Sequence, residues 1–124
     1  MNMDFNPTIP IYLQIIDEIK RQIASGERNP GSKVESVREL AQTMGVNPNT
    51  GQRAFAELER EGLMYTERTA GRYITTDISR IATLKEESAK SMIGEFVRIM
   101  LQSGFSKQDI LRLVKAFMEE TENG

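Results

Sequence analysis

The side chains with most chemistry to offer sit close together: Asn49, Thr50, Gln52 and Arg53, with Ser36 before them and Gly71 and Arg72 after them. Amides, hydroxyls and guanidinium groups make hydrogen bonds and ion pairs; they are poor nucleophiles and poor acid–base catalysts. Their natural targets are base edges and phosphates. Gln suits adenine, Arg suits guanine or phosphate, and the Ser and Thr hydroxyls suit phosphate oxygens. Gly71 would let backbone come close to a partner, and Arg72 would add charge there. Covalent chemistry has little to stand on, because the 124-residue chain contains no Cys and no His. Thiol nucleophiles, Cys or His metal sites, disulfides and imidazole catalysis are excluded, and no glycine-rich phosphate loop takes their place. Neither an enzyme nor a cofactor is expected. Glu57, Glu59 and Glu61 superficially suggest a metal cluster, but a spacing of two on a helix sends side chains apart, so a solvated face is expected.

These side chains need a scaffold, and the stretch SVRELAQTMGVNPNTGQRAFAELEREGL from Ser36 to Leu63 supplies it. Ser36 followed by Glu39 has the form of a capping box. Val37, Leu40, Ala41 and Met44 then share one helical face, and Gly45 with Val46 supplies the left-handed stop and apolar anchor that end a helix. Asn47 caps a second helix, with Pro48 at its first position. Gly51, Ala54, Phe55 and Leu58 are expected to face inward, which leaves Asn49, Thr50, Gln52 and Arg53 outside near the helix start. Two short helices joined by a tight turn, the second polar at its N-terminal end, are what a helix-turn-helix needs to enter a major groove.

Around this centre the chain reads as α+β, mainly α. Met1 to Thr8 is expected to be extended or frayed. PIYLQIIDEIKRQIASG from Pro10 to Gly26 keeps helical spacing at residues 12, 15, 16, 19 and 23, with Tyr12 in the core. Glu27 to Lys33 is a turn, and Val34 a brief strand. Leu63–Glu67 and Arg72–Thr76 are β-prone runs around a basic tip, and a helix-turn-helix followed at once by such a hairpin is a winged helix. The net charge of −2 argues mildly against nucleic acid. The placement of the charges argues the other way: Lys33, Arg38, Arg53, Arg68 and Arg72 flank the reading helix or the hairpin, whereas the glutamates gather at the helix's far end. Modest affinity per subunit, strong salt dependence and a need for dimerisation follow.

Asp77 or Ser79 caps a third helix that carries Ile81, Leu84, Met92, Phe96 and Met100 to Gly104. At ~1.5 Å per residue it would run nearly 40 Å, more than the winged domain covers. Ser106 opens a last helix with Ile110, Leu113, Val114 and Phe117 on a broad apolar face, and Glu119–Gly124 should fray. Two helices cannot bury both stripes. A second copy would complete a four-helix cluster, so 1–76 is read as the DNA-binding domain and 77–124 as a helical dimerisation tail. No apolar run approaches the ~20 residues needed to cross a bilayer and no leader pattern is visible, so a cytoplasmic location without membrane contact is expected. A small-molecule effector between the tail helices stays open as an idea, with no convergent polar group to mark it.

From Pro10-Ile11-Tyr12-Leu13-Gln14-Ile15 through PGSKVESVRELAQTMGVNPNTGQRAFAELEREGL to the wing TAGRYI, the chain resembles the GntR family of bacterial transcriptional regulators. Its short all-helical tail looks like the YtrA-type subfamily. The resemblance implies a homodimer on a pseudo-palindromic operator, in which Arg38 is a phosphate or base contact, and repression of transporter genes is common among such proteins. Three residues depart from the family pattern: Glu35 replaces a proline, Gly51 a branched apolar residue, and Thr69 a second wing glycine. Glu35 opposes nearby phosphate, Gly51 costs ~1 kcal/mol of helix propensity and loosens the two central helices, and Thr69 leaves Gly71 as the permissive turn position. A rival reading from the acidic balance is a winged helix used only for protein–protein assembly.

Overall fold

Pro10, with its fixed φ, opens helix α1 (Ile11–Ser25), and Gly26 at φ 87° closes it. The structure, a computed structural model, describes residues 4–121. Ile15, Ile16, Ile19 and Ile23 lie on the inner face of α1 and are buried. Segment 1–8, expected to be extended or frayed, is instead tied down over its described part. Gln14 accepts from the Asn6 N–H at 2.8 Å and donates to the carbonyls of Asn6 and Ile9, while Phe5 packs against the core. Residues 1–3 of that segment lie outside the described residues.

The capping box at Ser36 starts α2 (Val37–Met44), and Gly45 at φ 72° ends it. Helix α3 (Pro48–Arg60) begins at the Asn47 cap and buries Gly51, Ala54, Phe55 and Leu58. It packs on α1, α2 and the first strand of the wing, which places it at the centre of the apolar core. The wing is a two-stranded antiparallel sheet of β1 (Met64–Glu67) and β2 (Gly71–Ile74), with Tyr65 opposite Tyr73 and Glu67 opposite Gly71. Lys33 bridges to Tyr73, and the Val34 N–H donates to the Arg72 carbonyl at 2.9 Å, so the expected brief strand lies against β2. Gly71 takes a φ of 104°; among the described residues no non-glycine has a positive φ, and Thr69 is accommodated in the turn without one.

Helix α4 (Ile78–Gln102) starts at Asp77, whose carboxylate accepts from the Arg80 N–H. The chain divides into two compact units, Met1–Glu86 and Glu87–Gly124, so the boundary falls inside α4. This corrects two residues of the expected dimerisation stripe. Leu84 is buried in the core of the first unit and Ile81 packs against it. An apolar stripe is continuous in sequence, but its first turns already have their partner. In the second unit, Gly104 at φ 94° ends α4, and a Ser106–Asp109 capping box starts α5 (Lys107–Thr121). Ile110 is buried and Met100 and Leu113 are half-buried, whereas Met92, Phe96, Val114 and Phe117 are exposed. The expected fraying at 119–124 is not seen up to Thr121, and 122–124 lie outside the described residues.

Gly51 is the weak point in the first unit. A Cβ there would meet Leu40 at 3.4 Å and Val37 at 3.6 Å, ordinary contact distances, on a backbone without positive φ. Gly51→Ala should therefore stabilise the fold by ~1 kcal/mol, raising the melting temperature by about 4–8 °C for a unit of this size, as read by thermal denaturation. A lower melting temperature would show that α2 and α3 cannot accept the methyl.

Candidate nucleic-acid interface

The N-terminus of α2 carries Ser36 and Arg38. The Ser36 hydroxyl oxygen accepts from the Glu39 N–H at 3.0 Å, and the Glu39 carboxylate accepts from the Ser36 N–H at 2.9 Å. That box occupies Glu39. Glu35, the other acidic neighbour, is held by both Nη nitrogens of Arg28, at 2.7 and 2.9 Å. The Arg28 hydrogen bonds hold the half-buried Glu35 carboxyl below its ordinary value, against the opposing effect of burial. Glu35 therefore turns away from its expected opposition to phosphate, and Arg38 stays exposed without an ion-pair partner among the described residues.

The N-terminus of α3 carries the polar group that the helix register sends outward. Asn47 is the cap, accepting from the Asn49 N–H at 2.8 Å. Asn49, Gln52 and Arg53 are exposed and Thr50 is half-buried. Arg53 does not project freely. Its guanidinium lies 3.8 Å from the ring centroid of Tyr12, so α1 supplies a face on which the cation rests. Tyr12, expected only in the core, thus has one side on the core and the other under Arg53.

The wing brings the third group, with a correction for Arg72. Its guanidinium does not reach from the hairpin as a free charge but folds back on α3: Nε donates to Glu59 at 2.6 Å, Nη2 reaches Gln52 Oε1 at 3.4 Å, and the cation lies 5.1 Å from the Phe55 ring centroid. Thr66 donates to the same Glu59 oxygen at 2.6 Å. Burial raises the Glu59 pKa, but the Thr66 and Arg72 hydrogen bonds and the Arg72 charge outweigh it and leave the carboxyl below its ordinary value. Lys33 and Arg68 are exposed cations without an ion pair among the described residues. A groove of about 490 Å³ runs between the start of α2 and the wing, with Lys33, Ser36, Glu39, Thr66, Gly71 and Arg72 along its walls.

The structure thus brings Ser36, Gly71 and Arg72 to one groove and Gln52 to Arg72, while Arg53 sits on the α1 side of α3. Lys33, expected to flank the hairpin, is a wall of this groove, whereas Glu59 as the anchor of Arg72 and Tyr12 as the rest for Arg53 are roles that spacing alone misses. Glu57, Glu59 and Glu61 pair separately, with Arg60, Arg72 and Lys20. Among the described residues no acidic group is arranged to hold a metal ion, and no helix is long and apolar enough to cross a membrane.

Comparison with known proteins agrees with this geometry. The family model described as bacterial regulatory proteins, gntR family, matches residues 11–74. The uncharacterized HTH-type transcriptional regulator YhcF of Bacillus subtilis is 38% identical over 119 residues, covering 96% of this chain and 98% of YhcF. The HTH-type transcriptional repressor YtrA of the same organism is 41% identical over 98 residues, covering 75% of each chain. A GntR family transcriptional regulator from Listeria monocytogenes superposes with a TM-score of 0.82 at 42% identity, over 90% of this chain and 98% of that one. The AraR DNA-binding domain, solved in complex with operator ORX1, superposes with a TM-score of 0.55 at 28% identity over 60% of this chain and 95% of its own.

The Arg28–Glu35 lock should make the first unit acid-sensitive. A carboxyl held low in the folded state stabilises fully above the ordinary Glu value of about 4.3, and that contribution is lost as pH falls through the depressed value. The melting temperature should drop between about pH 5 and pH 3, and Glu35→Gln should show a shallower drop over that range. Superimposable wild-type and Glu35→Gln profiles would mean that the pair is not formed.

Proposed function

Because the chain belongs to the GntR family of bacterial regulatory proteins, and within it to the YtrA-type group, we propose that it is a cytoplasmic transcriptional repressor that binds a pseudo-palindromic operator as a homodimer. The observation that carries this is local. On a chain of net charge −2, Lys33, Arg38 and Arg68 are left unpaired among the described residues, around a groove and a capped helix that presents Asn49 and Gln52. In this reading α3 enters the major groove, where Asn49, Gln52 and Arg53 address base edges. Ser36, Arg38 and Thr50 take phosphates, and Gly71 brings the wing backbone close to the duplex. Arg72 acts from the groove wall. Control of transporter genes is proposed from the subfamily resemblance alone.

The tail supplies the second half of the proposal. Met92, Phe96, Val114 and Phe117 are exposed, with Met100 and Leu113 half-buried. An apolar face of this kind needs a partner, and a second copy has the same face to offer. Its two recognition helices would then occupy successive major grooves, ~34 Å or a multiple apart.

Two measurements test these halves. Filter binding to fragments of the gene's own upstream region should select one fragment. Arg38→Ala should weaken all fragments alike and lower the slope of log K against log salt by about 1, whereas Arg53→Ala should lose mainly selectivity, ~1–3 kcal/mol. Binding without preference at any salt would favour the protein–protein assembly reading, which the acidic balance supports. By light scattering, the wild type should have about twice its 14.0 kDa chain mass, and Phe96→Asp with Phe117→Asp should return it to one chain mass. A monomeric wild type at tens of micromolar would refute the dimer.

A further inference from the structure

Two arginines lie against α3 and are held in different ways. Arg72 gives its Nε–H to Glu59 at 2.6 Å. Arg53 makes no hydrogen bond or ion pair among the described residues, yet its guanidinium is not loose, because its central carbon lies 3.8 Å from the centroid of the Tyr12 ring. An edge-on approach would put a nitrogen at that distance and the carbon farther out, so the two flat faces meet. Stacking of this kind uses the face of the cation and none of its five N–H donors, which radiate in its plane.

The ring is held from behind. Tyr12 is half-buried in the first turn of α1 and packs against the core, and Ile15, Ile16 and Ile19 anchor that helix. The chain on either side is tied as well: the Pro10 carbonyl accepts from the Leu13 N–H, and the Gln14 side chain donates to the carbonyls of Asn6 and Ile9. The Tyr12 hydroxyl, by contrast, makes no hydrogen bond among the described residues. The fold uses the ring and leaves the phenol oxygen aside.

An arginine that reaches a duplex from free solution loses rotamer freedom when it binds, and that loss weakens the contact. A guanidinium already stacked loses less and keeps every donor. We propose that Tyr12 is a positioning residue for DNA recognition: its ring, and not its hydroxyl, holds the Arg53 guanidinium ready near the start of α3 for acceptors on the duplex. This gives Tyr12 a part in binding that its place in an apolar stripe does not suggest, and it rests on the operator reading given above.

The test is a double-mutant cycle on affinity for the selected fragment, with wild type, Tyr12→Leu, Arg53→Ala, the two combined, and Tyr12→Phe. Tyr12→Leu keeps apolar bulk against the core but removes the ring face, and it should weaken binding by about three- to tenfold. In the Arg53→Ala background the same change should weaken binding no further, and Tyr12→Phe should retain the wild-type affinity. A destabilised core lowers the folded fraction in both backgrounds alike, so it cannot produce that difference. If Tyr12→Leu does not fold, Tyr12→Met takes its place in the cycle. In the free protein, the ring current should shift the Arg53 Cδ protons upfield in wild type and Tyr12→Phe but not in Tyr12→Leu. Absence of that shift in wild type overturns the inference. Equal losses in both backgrounds mean a structural role, and a loss in Tyr12→Phe means a hydroxyl contact; either result overturns it too. So does tighter binding by Tyr12→Leu, which would show that the ring withholds Arg53 from the duplex, and so does an Arg53→Ala protein that binds as wild type does. A wild type that selects no fragment overturns the operator reading itself, and is recognised before any variant is made.

Discussion

Phe55 is fully buried beneath the guanidinium of Arg72, within the core shared by α1, α2, α3 and the wing. A thirteen-residue helix is marginal by itself in water, so α3 exists because this face has somewhere to go. Losing a buried Phe typically costs ~3–5 kcal/mol, a large share of the ~5–15 kcal/mol that holds a small domain together. The same burial fixes the rotation of α3 about its axis. Once Gly51, Ala54, Phe55 and Leu58 point in, Asn49, Gln52 and Arg53 have no choice but to point out. The exposed polar face is the complement of the packing face. Tyr12 and Arg72 then close on α3 from either side, one supporting Arg53 and the other reaching Gln52.

Charge follows the same logic of placement over total. Glu18 and Glu27 share Arg21, Glu35 has Arg28, Glu57 has Arg60, and Glu61 has Lys20. Partly exposed pairs of this kind are worth little to stability, ~0–1 kcal/mol each. Their larger effect is to cancel acidic charge where it stands, while Lys33, Arg38 and Arg68 keep no ion pair among the described residues.

Much of this was legible because it is local. Ser36 with Glu39, Gly45, Asn47 with Pro48, Gly26, and Ser106 with Asp109 each cap a helix through neighbours within three or four residues, and each sits where the spacing puts it. What spacing could not reveal are pairings that exist only after the chain folds back. Glu59 and Arg72 meet because the hairpin returns along α3, Tyr12 and Arg53 because α1 packs on α3, and Phe5 and Gln14 tie down a segment whose composition reads as loose. Leu84 shows the other limit. Periodicity marks which face of a helix is apolar, but not that the stripe serves one partner in its first turns and another beyond them.

The division of that stripe bears on how a head with so few free cations achieves useful affinity. Each phosphate contact contributes a salt-sensitive increment, and a short helix with a handful of unpaired cations beside it would make a weak, short-lived complex per copy. Tethering two heads through the tail makes the second contact intramolecular, so affinities combine at an effective concentration in place of the bulk one, a gain of about 10²–10⁴ without any new contact to DNA. The tail can supply such a tether. Met92, Phe96, Leu111, Phe117 and their neighbours are exposed, and burying side chains of this size stabilises by ~1.5–3 kcal/mol each. Several of them from each copy exceed the lower estimates of the ~4–15 kcal/mol lost on association. Leu84 and Ile81, by contrast, would add nothing to such a tether: their apolar surface lies inside the head, where it fastens the first turns of α4 to the core that holds Phe55.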